Sequence, residues 1–470
     1  MIDLDLFVIG TGPAGQRAAV QAAKLGKRVG ICDRREVVGG VCVNTGTIPS
    51  KTFREALLYL TGYRQRAIYG DSYRLKEDLD MQDLLFRCQH VVQQQIHVIR
   101  QQMRRNGVML LSGTASFKSP YEVEVRGHRE VTRVRSKYFV IATGTEPAAP
   151  PDVAVDGATV ITADEILSLK SLPRTMTVVG AGVIGLEYAS MFGALDTEVT
   201  IIDKQRRPLE FVDSEIIDSL LYQMRNRNCT FRLGEELESI QLLNGGAEAR
   251  LKSGKRVQSE VLFYSIGRVG ATASLNLKAA GLESDDRGRI PVGVTFQTRQ
   301  RHVYAVGDVI GFPALASTSM EQGRMAACHA FDVPCESIPE LFPFGIYSIP
   351  EMSMVGNTEE DLTRNKIPYE VGTARYREIA RGVILGDDSG LLKILFHRET
   401  RKILGVHIIG TAAAELIHIG QAVFALGGTI DYFVETVFNY PTFAECYKVA
   451  GLDGFNKVGP PKTGPFGQAP

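Results

Sequence analysis

Twice in this chain an apolar run ends in Gly-x-Gly-x-x-Gly, passes into a small-residue helical stretch, and returns in a second apolar run that stops at an aspartate. The first copy takes in residues 4–9, Gly10-Thr-Gly12-Pro-Ala-Gly15, a predicted helix over 16–25 and a predicted strand over 28–32 closing at Asp33. The second takes in 176–179, Gly180-Ala-Gly182-Val-Ile-Gly185, 186–192 and 198–202, closing at Asp203. In such a turn the first glycine allows the tight bend, the second lets backbone approach a pyrophosphate, and the third lets helix pack on strand. The helix N-terminus offers unpaired N–H groups to phosphate, and the strand-end carboxylate accepts hydrogen bonds from a ribose. A chain carrying this βαβ unit twice is held to an α/β fold with two Rossmann-like dinucleotide-binding domains. Glycines that only packed helix on strand would need neither acid, and both acids are present.

Composition narrows the setting rather than the chemistry. Of 470 residues, 44% are hydrophobic and 23% charged, enough for roughly two to four domains with cores of their own. Lysine plus arginine equals aspartate plus glutamate at 53 each, so no global field favours nucleic acid or an anionic membrane. No apolar run approaches the ~20 residues that span a bilayer, and no basic and apolar leader precedes the first strand, which predicts a soluble, cytoplasmic protein. The seven cysteines, at 32, 42, 88, 229, 328, 335 and 446, are odd in number and scattered. That pattern fits a reducing compartment, not a secreted disulfide framework.

Between the two copies, residues 82–105 read as one long helix, with Leu85, Val92, Ile96, Ile99 and Met103 at three- and four-residue steps forming a buried stripe. His90 and His97 share a face of it, but no cysteine or carboxylate set completes a metal site there, and no metal is expected. From about residue 342 the pattern changes to short β-rich runs (391–396, 403–409) followed by a helical stretch at 412–425, which predicts a separate α+β domain. The last dozen residues are rich in proline and glycine and read as a mobile tail.

Two further segments sharpen the first site. A strand over 138–142 runs into Thr143-Gly144-Thr145, and a strand over 302–306 runs into Gly307-Asp308, followed by a helix starting near Ala316. With the double glycine turn, these segments resemble the flavoprotein disulfide reductase family, and the resemblance extends from Leu6 to about Val458. It implies that Gly10, Gly12, Gly15, Asp33, Thr143, Gly144, Asp308 and Ala316 hold FAD. Asp308 would meet the ribityl chain, and the helix at Ala316 would turn its positive end toward the flavin pyrimidine.

Gly39-Gly40-Val-Cys42-Val-Asn-Thr-Gly46-Thr47-Ile-Pro49-Ser50-Lys51 is similar to the redox-active motif of that family, with one decisive departure. Disulfide-reducing members carry two cysteines separated by four residues. Here the first is Cys42, and Thr47 stands at the second, flavin-side position. A hydroxyl cannot form a disulfide or store electrons. The family's C-terminal His-Pro is replaced by Tyr440-Pro441 within Asn439-Tyr-Pro-Thr442. A phenol with a pKa near 10 is a poor proton shuttle at neutral pH. Both halves of the dithiol machinery are missing together, while the parts that serve hydride transfer remain.

These departures, with the segment from Glu445 to Val449, resemble the branch of the family that exchanges hydride between NADPH and NAD. The resemblance implies a ping-pong reaction in which both nucleotides use one site, FAD as cofactor, and no redox disulfide. It further implies that Gly40, Cys42, Thr47 and Lys51 join the FAD site, and that Lys51 and Glu187 pair beside the flavin, Lys51 stabilising the ring and Glu187 positioning the nicotinamide. Gly180, Gly182, Gly185, Asp203 and Gly267 would bind NAD or NADP, with Arg268 beside Gly267. Asp203 suits the 2′-hydroxyl of NAD, whereas Lys204, Arg206 and Arg207 could neutralise the 2′-phosphate of NADP or could be a solvated basic loop.

The expected architecture is an FAD domain (1–147 and 271–341), an NAD(P) domain (148–270), and a C-terminal dimerisation domain with its tail (342–470), assembled as a homodimer or higher homo-oligomer. A dihydrolipoamide-dehydrogenase-like reductase, an NAD(P)H oxidase, and a flavin-binding redox-sensing scaffold acting through Cys42 stay open at this point.

Overall fold

The computed structural model describes the chain except for Asp71 and residues 151–152, 336–340 and 459–470. The expected mobile tail lies outside the described residues. Two compact units are formed, one of Met1–Phe53, Met81–Ser171 and Tyr264–Pro339, the other of Arg54–Asp80, Leu172–Phe263 and Glu340–Pro470.

In the first unit the opening apolar run becomes the strand Ile2–Ile9, the glycine turn leads into the helix Pro13–Lys24, and the chain returns as the strand Val29–Asp33. The two strands are parallel with Leu6 opposite Val29, and Ile2–Ile9 also pairs in parallel with Val131–Ile141, setting Phe7 opposite Phe139. The long strand Val131–Ile141 is shared along its length. Its first half pairs antiparallel with Glu122–Arg126, and its last residues pair in parallel with Val303–Ala305. With Met109–Ser112 and Thr114–Ser119 this makes a seven-stranded sheet.

Strands buried on both faces read as continuous apolar runs, which explains the strength of the sequence signal at residues 4–9 and 138–142. On one face Val8, Ala18, Ala22, Ile31, Val140 and Ala326 pack together. On the other, Phe7, Phe117 and Phe139 meet edge to face, with ring centroids 6.3 and 5.4 Å from Phe139. Each fully buried phenylalanine stabilises this layer by about 1.5–3 kcal/mol relative to exposure.

The predicted long helix forms as Met81–Arg105. Its stripe is phased slightly differently from the expectation: Met81, Leu84, Cys88, Ile96, Ile99 and Met103 are buried, while Leu85 and Val92 lie half-buried at its margin. His90 and His97 are exposed.

The second unit repeats the same start. Thr175–Val179, the helix Val183–Ala194 and Glu198–Asp203 form a parallel βαβ unit, with Val199 opposite Met176, extended by Cys229–Leu233. A three-stranded antiparallel sheet follows from Leu237–Leu243, Gly246–Leu251 and Arg256–Ser259. The C-terminal part is a five-stranded antiparallel sheet ordered Phe344–Ile346, Met352–Gly356, Ile403–Ile409, Leu391–His397 and Tyr369–Arg375. The helices Ala413–Ala425 and Glu445–Val458 supply Ile417, Val423, Tyr447 and Ala450 to the core against it.

Candidate functional site

The first glycine turn is built by close backbone approach. Gly10 has φ +109°, and a Cβ there would lie 2.3 Å from the carbonyl oxygen of Ala142. A Cβ on Gly15 would lie 1.9 Å from the carbonyl oxygen of Gly10, so helix and strand meet as only a glycine permits. Gly12, by contrast, faces open space at the N-terminus of the helix Pro13–Lys24, as does Gly144 after the strand Val131–Ile141. The turn thus combines unpaired helical N–H groups with room for an anion.

A pocket within the first unit gathers most of the residues predicted for FAD. Gly10, Gly12, Asp33, Gly40, Cys42, Thr47, Thr143, Gly144, Asp308 and Ala316 all line it. Gly15 serves the helix packing beneath it, and Lys51 is not among the lining residues, standing one turn beyond Thr47 on the helix Thr47–Leu60. Thr11, Arg34, Arg35 and Ser319 line it as well, and the sequence reading did not single them out.

Asp33 is the most constrained acid here. One carboxylate oxygen accepts from the Thr11 backbone N–H at 3.0 Å and from the Thr11 hydroxyl at 2.5 Å, and the other accepts from the Arg35 N–H at 3.0 Å. The Thr11 hydroxyl in turn accepts from the N–H of Gly39 at 3.0 Å. A Cβ on Gly40 would come within 2.9 Å of Gly12 Cα, so the redox-motif segment lies directly on the phosphate turn.

Asp308 sits in the short turn Gly307–Ile310, anchored by the Gly307 N–H donating to the Gln322 side chain at 2.7 Å. Burial raises its carboxyl above the usual range, against the opposing pull of Arg268 and a 3.4 Å hydrogen bond from Ser319. Arg268 itself is held by Thr145, Nε to the hydroxyl at 2.8 Å and Nη2 to the carbonyl at 2.9 Å. The helix Ala316–Ala330 begins where expected, and a Cβ on its Gly323 would meet the Ala14 carbonyl oxygen at 2.0 Å. That contact fixes the helix against Pro13–Lys24.

The residues fit an FAD. The Thr143 hydroxyl is buried without a hydrogen-bond partner among the described residues. Gly12 and Gly144 leave space that any side chain would fill. A helix N-terminus and an anchored acid are the two groups that the phosphate and ribose of a dinucleotide call for.

Cys42 and Thr47 are neighbours in this pocket. Burial raises the Cys42 thiol above its ordinary value, a hydrogen bond with Thr47 and the charge of Lys51 pull the other way, and Asp308 adds to the rise. The segment holds one sulfur and one hydroxyl, so it has no dithiol to oxidise.

In the second unit the nucleotide turn repeats the logic of the first. Gly180 has φ +108°, Gly182 faces open space before the helix Val183–Ala194, and Gly185 is buried in it. Asp203 accepts from the Ala181 N–H at 2.6 Å and from the Gln205 N–H at 2.8 Å, the same two links that Asp33 makes. Lys204 and Arg206 are exposed. Arg207 is half-buried, its Nη1 lies 3.5 Å from Glu360, and its Nε and Nη2 have no hydrogen-bond partner among the described residues. Glu187 is 3% exposed and accepts the backbone N–H of Tyr347 at 2.8 Å. Gly267, in the first unit, has φ +76° and faces open space.

Comparison with known proteins places these features in context. The sequence model of pyridine nucleotide-disulphide oxidoreductases matches residues 4–323, and the model of the dimerisation domain of the same proteins matches residues 342–450. The soluble pyridine nucleotide transhydrogenase of Mycobacterium bovis is 55% identical over 460 residues, covering 97% of this chain and 98% of that protein. The protein of the same name from Colwellia psychrerythraea is 44% identical over 463 residues, covering 97% and 99%. Among solved structures, the HOCl-induced flavoprotein disulfide reductase of Escherichia coli superposes with a TM-score of 0.86 at 25% identity, over 97% of this chain and 100% of that one. LpdA of Mycobacterium tuberculosis superposes with a TM-score of 0.87 at 23% identity, over 95% and 99%.

Proposed function

This chain belongs to the pyridine nucleotide-disulphide oxidoreductase family, and from that premise we propose that it is an FAD-dependent enzyme transferring hydride from NADPH to NAD. The observation that carries the reading is Thr47 lining the pocket together with Cys42, where a second cysteine would have to stand. A dithiol pathway stops at a hydroxyl, and what remains is exchange between two nucleotides. The relatives named as soluble pyridine nucleotide transhydrogenases, 55% and 44% identical along the whole chain, support it.

When bound, FAD supplies the electron-accepting ring; the protein supplies placement and electrostatics. Gly10, Gly12 and the N-terminus of Pro13–Lys24 hold the pyrophosphate, and Asp33, braced by Thr11, accepts the ribose hydroxyls. Asp308 and the N-terminus of the helix Ala316–Ala330 hold the far end, the helix dipole favouring negative charge there. Gly180, Gly182 and Asp203 hold the nicotinamide nucleotide in the same manner. Lys51 stabilises negative charge at the ring, and Glu187, fixed by the Tyr347 N–H, orients the nicotinamide. Because one site takes both nucleotides, the product of the first half must leave before the second nucleotide enters. The match to a dimerisation domain supports a homodimer. Among the described residues no helix is long and apolar enough to cross a membrane, and we place the enzyme in the cytoplasm with its nucleotide pools.

The test is anaerobic reduction of thio-NAD by NADPH with the FAD-loaded protein, read at the thio-NADH absorbance. Turnover with parallel-line kinetics is the expected result. Bleaching of the flavin by NADPH without thio-NAD reduction would overturn the reading and leave a reductase or an oxidase with another acceptor.

A further inference from the structure

A second pair of sulfur atoms lies away from the pocket. Cys328 is in the last turn and a half of the helix Ala316–Ala330 and is 2% exposed, and Cys335 is half-buried in the loop that follows. Between them the chain turns back. The N–H groups of Phe331 and Val333 both donate to the Cys328 carbonyl, at 3.1 and 2.9 Å, with Asp332 at φ +55°. This turn lays Cys335 against the helix. Its Sγ is 3.9 Å from the carbonyl oxygen of Met325, one turn before Cys328, which brings it within electrostatic reach of the Cys328 sulfur; burial, first, and then Cys335 raise the Cys328 thiol above its ordinary value. Arg324, four residues before Cys328 on the same helix face, brings its guanidinium charge to both sulfurs while pairing with Glu321 at 3.0 and 3.1 Å.

We propose that Cys328 and Cys335 form a reversible dithiol–disulfide pair, a modification site that closes an intramolecular ring over the end of this helix. The oxidant is a low-molecular-weight disulfide such as oxidised glutathione. The thiolate of the more accessible Cys335 attacks it, forming a mixed disulfide and expelling one small thiolate. The thiolate of Cys328 then attacks the Cys335 sulfur, forming the protein disulfide and expelling the second. Two protein thiols are oxidised, one external disulfide is reduced to two thiols, and the two protons lost by the cysteines end on the released thiolates. At Cys328 the charge of Arg324 opposes the rise that burial imposes on the thiol, which favours the second step. Cys328 is about 18 Å along the helix axis from Ala316, at 1.5 Å per residue. The pair is therefore separate from the flavin site and does not replace the cysteine missing beside Cys42.

The sequence makes the test direct. No lysine or arginine falls between Met325 and Arg364, so both cysteines occupy one tryptic peptide. The FAD-loaded protein is incubated with oxidised glutathione, alkylated and digested. The expected result is that this peptide loses two hydrogens and takes up neither alkyl group nor glutathione, and that dithiothreitol restores two alkylatable thiols. In Cys328→Ser the ring cannot close, and Cys335 is expected to accumulate as the glutathione adduct; Cys335→Ser should keep full hydride-transfer activity under reducing conditions. Two results would overturn the proposal: both thiols staying alkylatable at a glutathione disulfide concentration that blocks Cys42, or wild-type Cys335 accumulating the adduct without resolution by Cys328.

Discussion

The Thr11 hydroxyl donates to the Asp33 carboxylate at 2.5 Å and accepts the N–H of Gly39 at 3.0 Å, so one side chain joins the phosphate turn, the ribose acid and the redox-motif segment. In the second unit the matching position is Ala181, which keeps the backbone link to Asp203 but has no hydroxyl. Thr11→Val preserves shape and removes both side-chain bonds. A hydrogen bond to a charged group contributes about 1.5–3 kcal/mol, which predicts FAD binding weakened roughly 10- to 100-fold, measured by fluorescence titration of the apoprotein. An unchanged dissociation constant would show that Asp33 needs no such brace.

Thr47→Cys tests the chemistry of the pocket directly. Cys42 and Thr47 line the same pocket and interact electrostatically, so a sulfur at 47 is placed to meet the first. The expected variant takes up about twice the reducing equivalents per flavin in anaerobic dithionite titration and loses transhydrogenase turnover to the new disulfide. If its titration matches that of the wild type, the two positions do not form a dithiol site in this protein.

Much of this site is visible in the sequence because its determinants are local. The glycine turns, the strand-end acids, and the start of the helix at Ala316 each depend on a few consecutive residues whose backbone demands are strict. What escapes is set by side chains that meet across long separations. Nothing around Thr11 announces a bond to a residue 22 positions later, and Arg207 meets Glu360 over 153. The stripe of Met81–Arg105 shows an intermediate case: periodicity gives the helix, but which of Leu84 and Leu85 lies deeper depends on the surface it packs on. Lys393 is the plainest failure of local reading, a charged residue within an apolar strand run that is 1% exposed.

Lys393 is buried because its charges are matched. Its ammonium lies 2.9 Å from Asp213 and 3.3 Å from Glu215, and also pairs with Glu359. Desolvation lowers its pKa, yet the bonds to Glu359 and Asp213 outweigh that and raise it overall. Lys393→Met leaves Asp213, which is fully buried, without its cation. Breaking a buried pair from one side costs about 3–5 kcal/mol. Denaturant unfolding at neutral pH should show a loss of that order, and Lys393→Met combined with Asp213→Leu should recover part of it.

Glu187 separates positioning from stability. Its carboxylate accepts the Tyr347 N–H at 2.8 Å from a buried position, and Glu187→Gln keeps that acceptor while removing the charge. Misplacing a reacting group costs on the order of 100-fold in rate. The variant should retain FAD content and unfolding midpoint, with NADPH-driven bleaching of the flavin slowed by about that factor in stopped flow. A normal rate with a lowered midpoint would assign Glu187 to the scaffold instead.

His407 gives the protein a pH limit whose sign follows from its surroundings. The ring is fully buried, its Nε2 bonds to the Asn357 carbonyl at 2.8 Å, and its Nδ1 has no partner among the described residues. Burial lowers its pKa below the usual 6.5, and Lys393 lowers it further, against the opposing pull of Asp213, the Asn357 carbonyl and Glu360. As pH falls through 6.5 the unfolded chain takes up a proton that the folded ring still refuses, so stability declines until the lower folded pKa is passed. One such group contributes a slope of at most about 1.4 kcal/mol per pH unit. Asp213 acts in a separate, more acidic window. Burial raises its pKa, but His407 and Lys393 more than offset this and hold it below 3.8, so its contribution is lost only as pH falls through that depressed value. His407→Gln keeps a donor for Asn357 and cannot titrate. Its unfolding free energy should therefore vary less steeply than that of the wild type between pH 6.5 and 5, the two curves converging in slope above pH 7. Parallel curves throughout would mean that the buried ring takes up its proton in the folded protein as readily as in the unfolded chain.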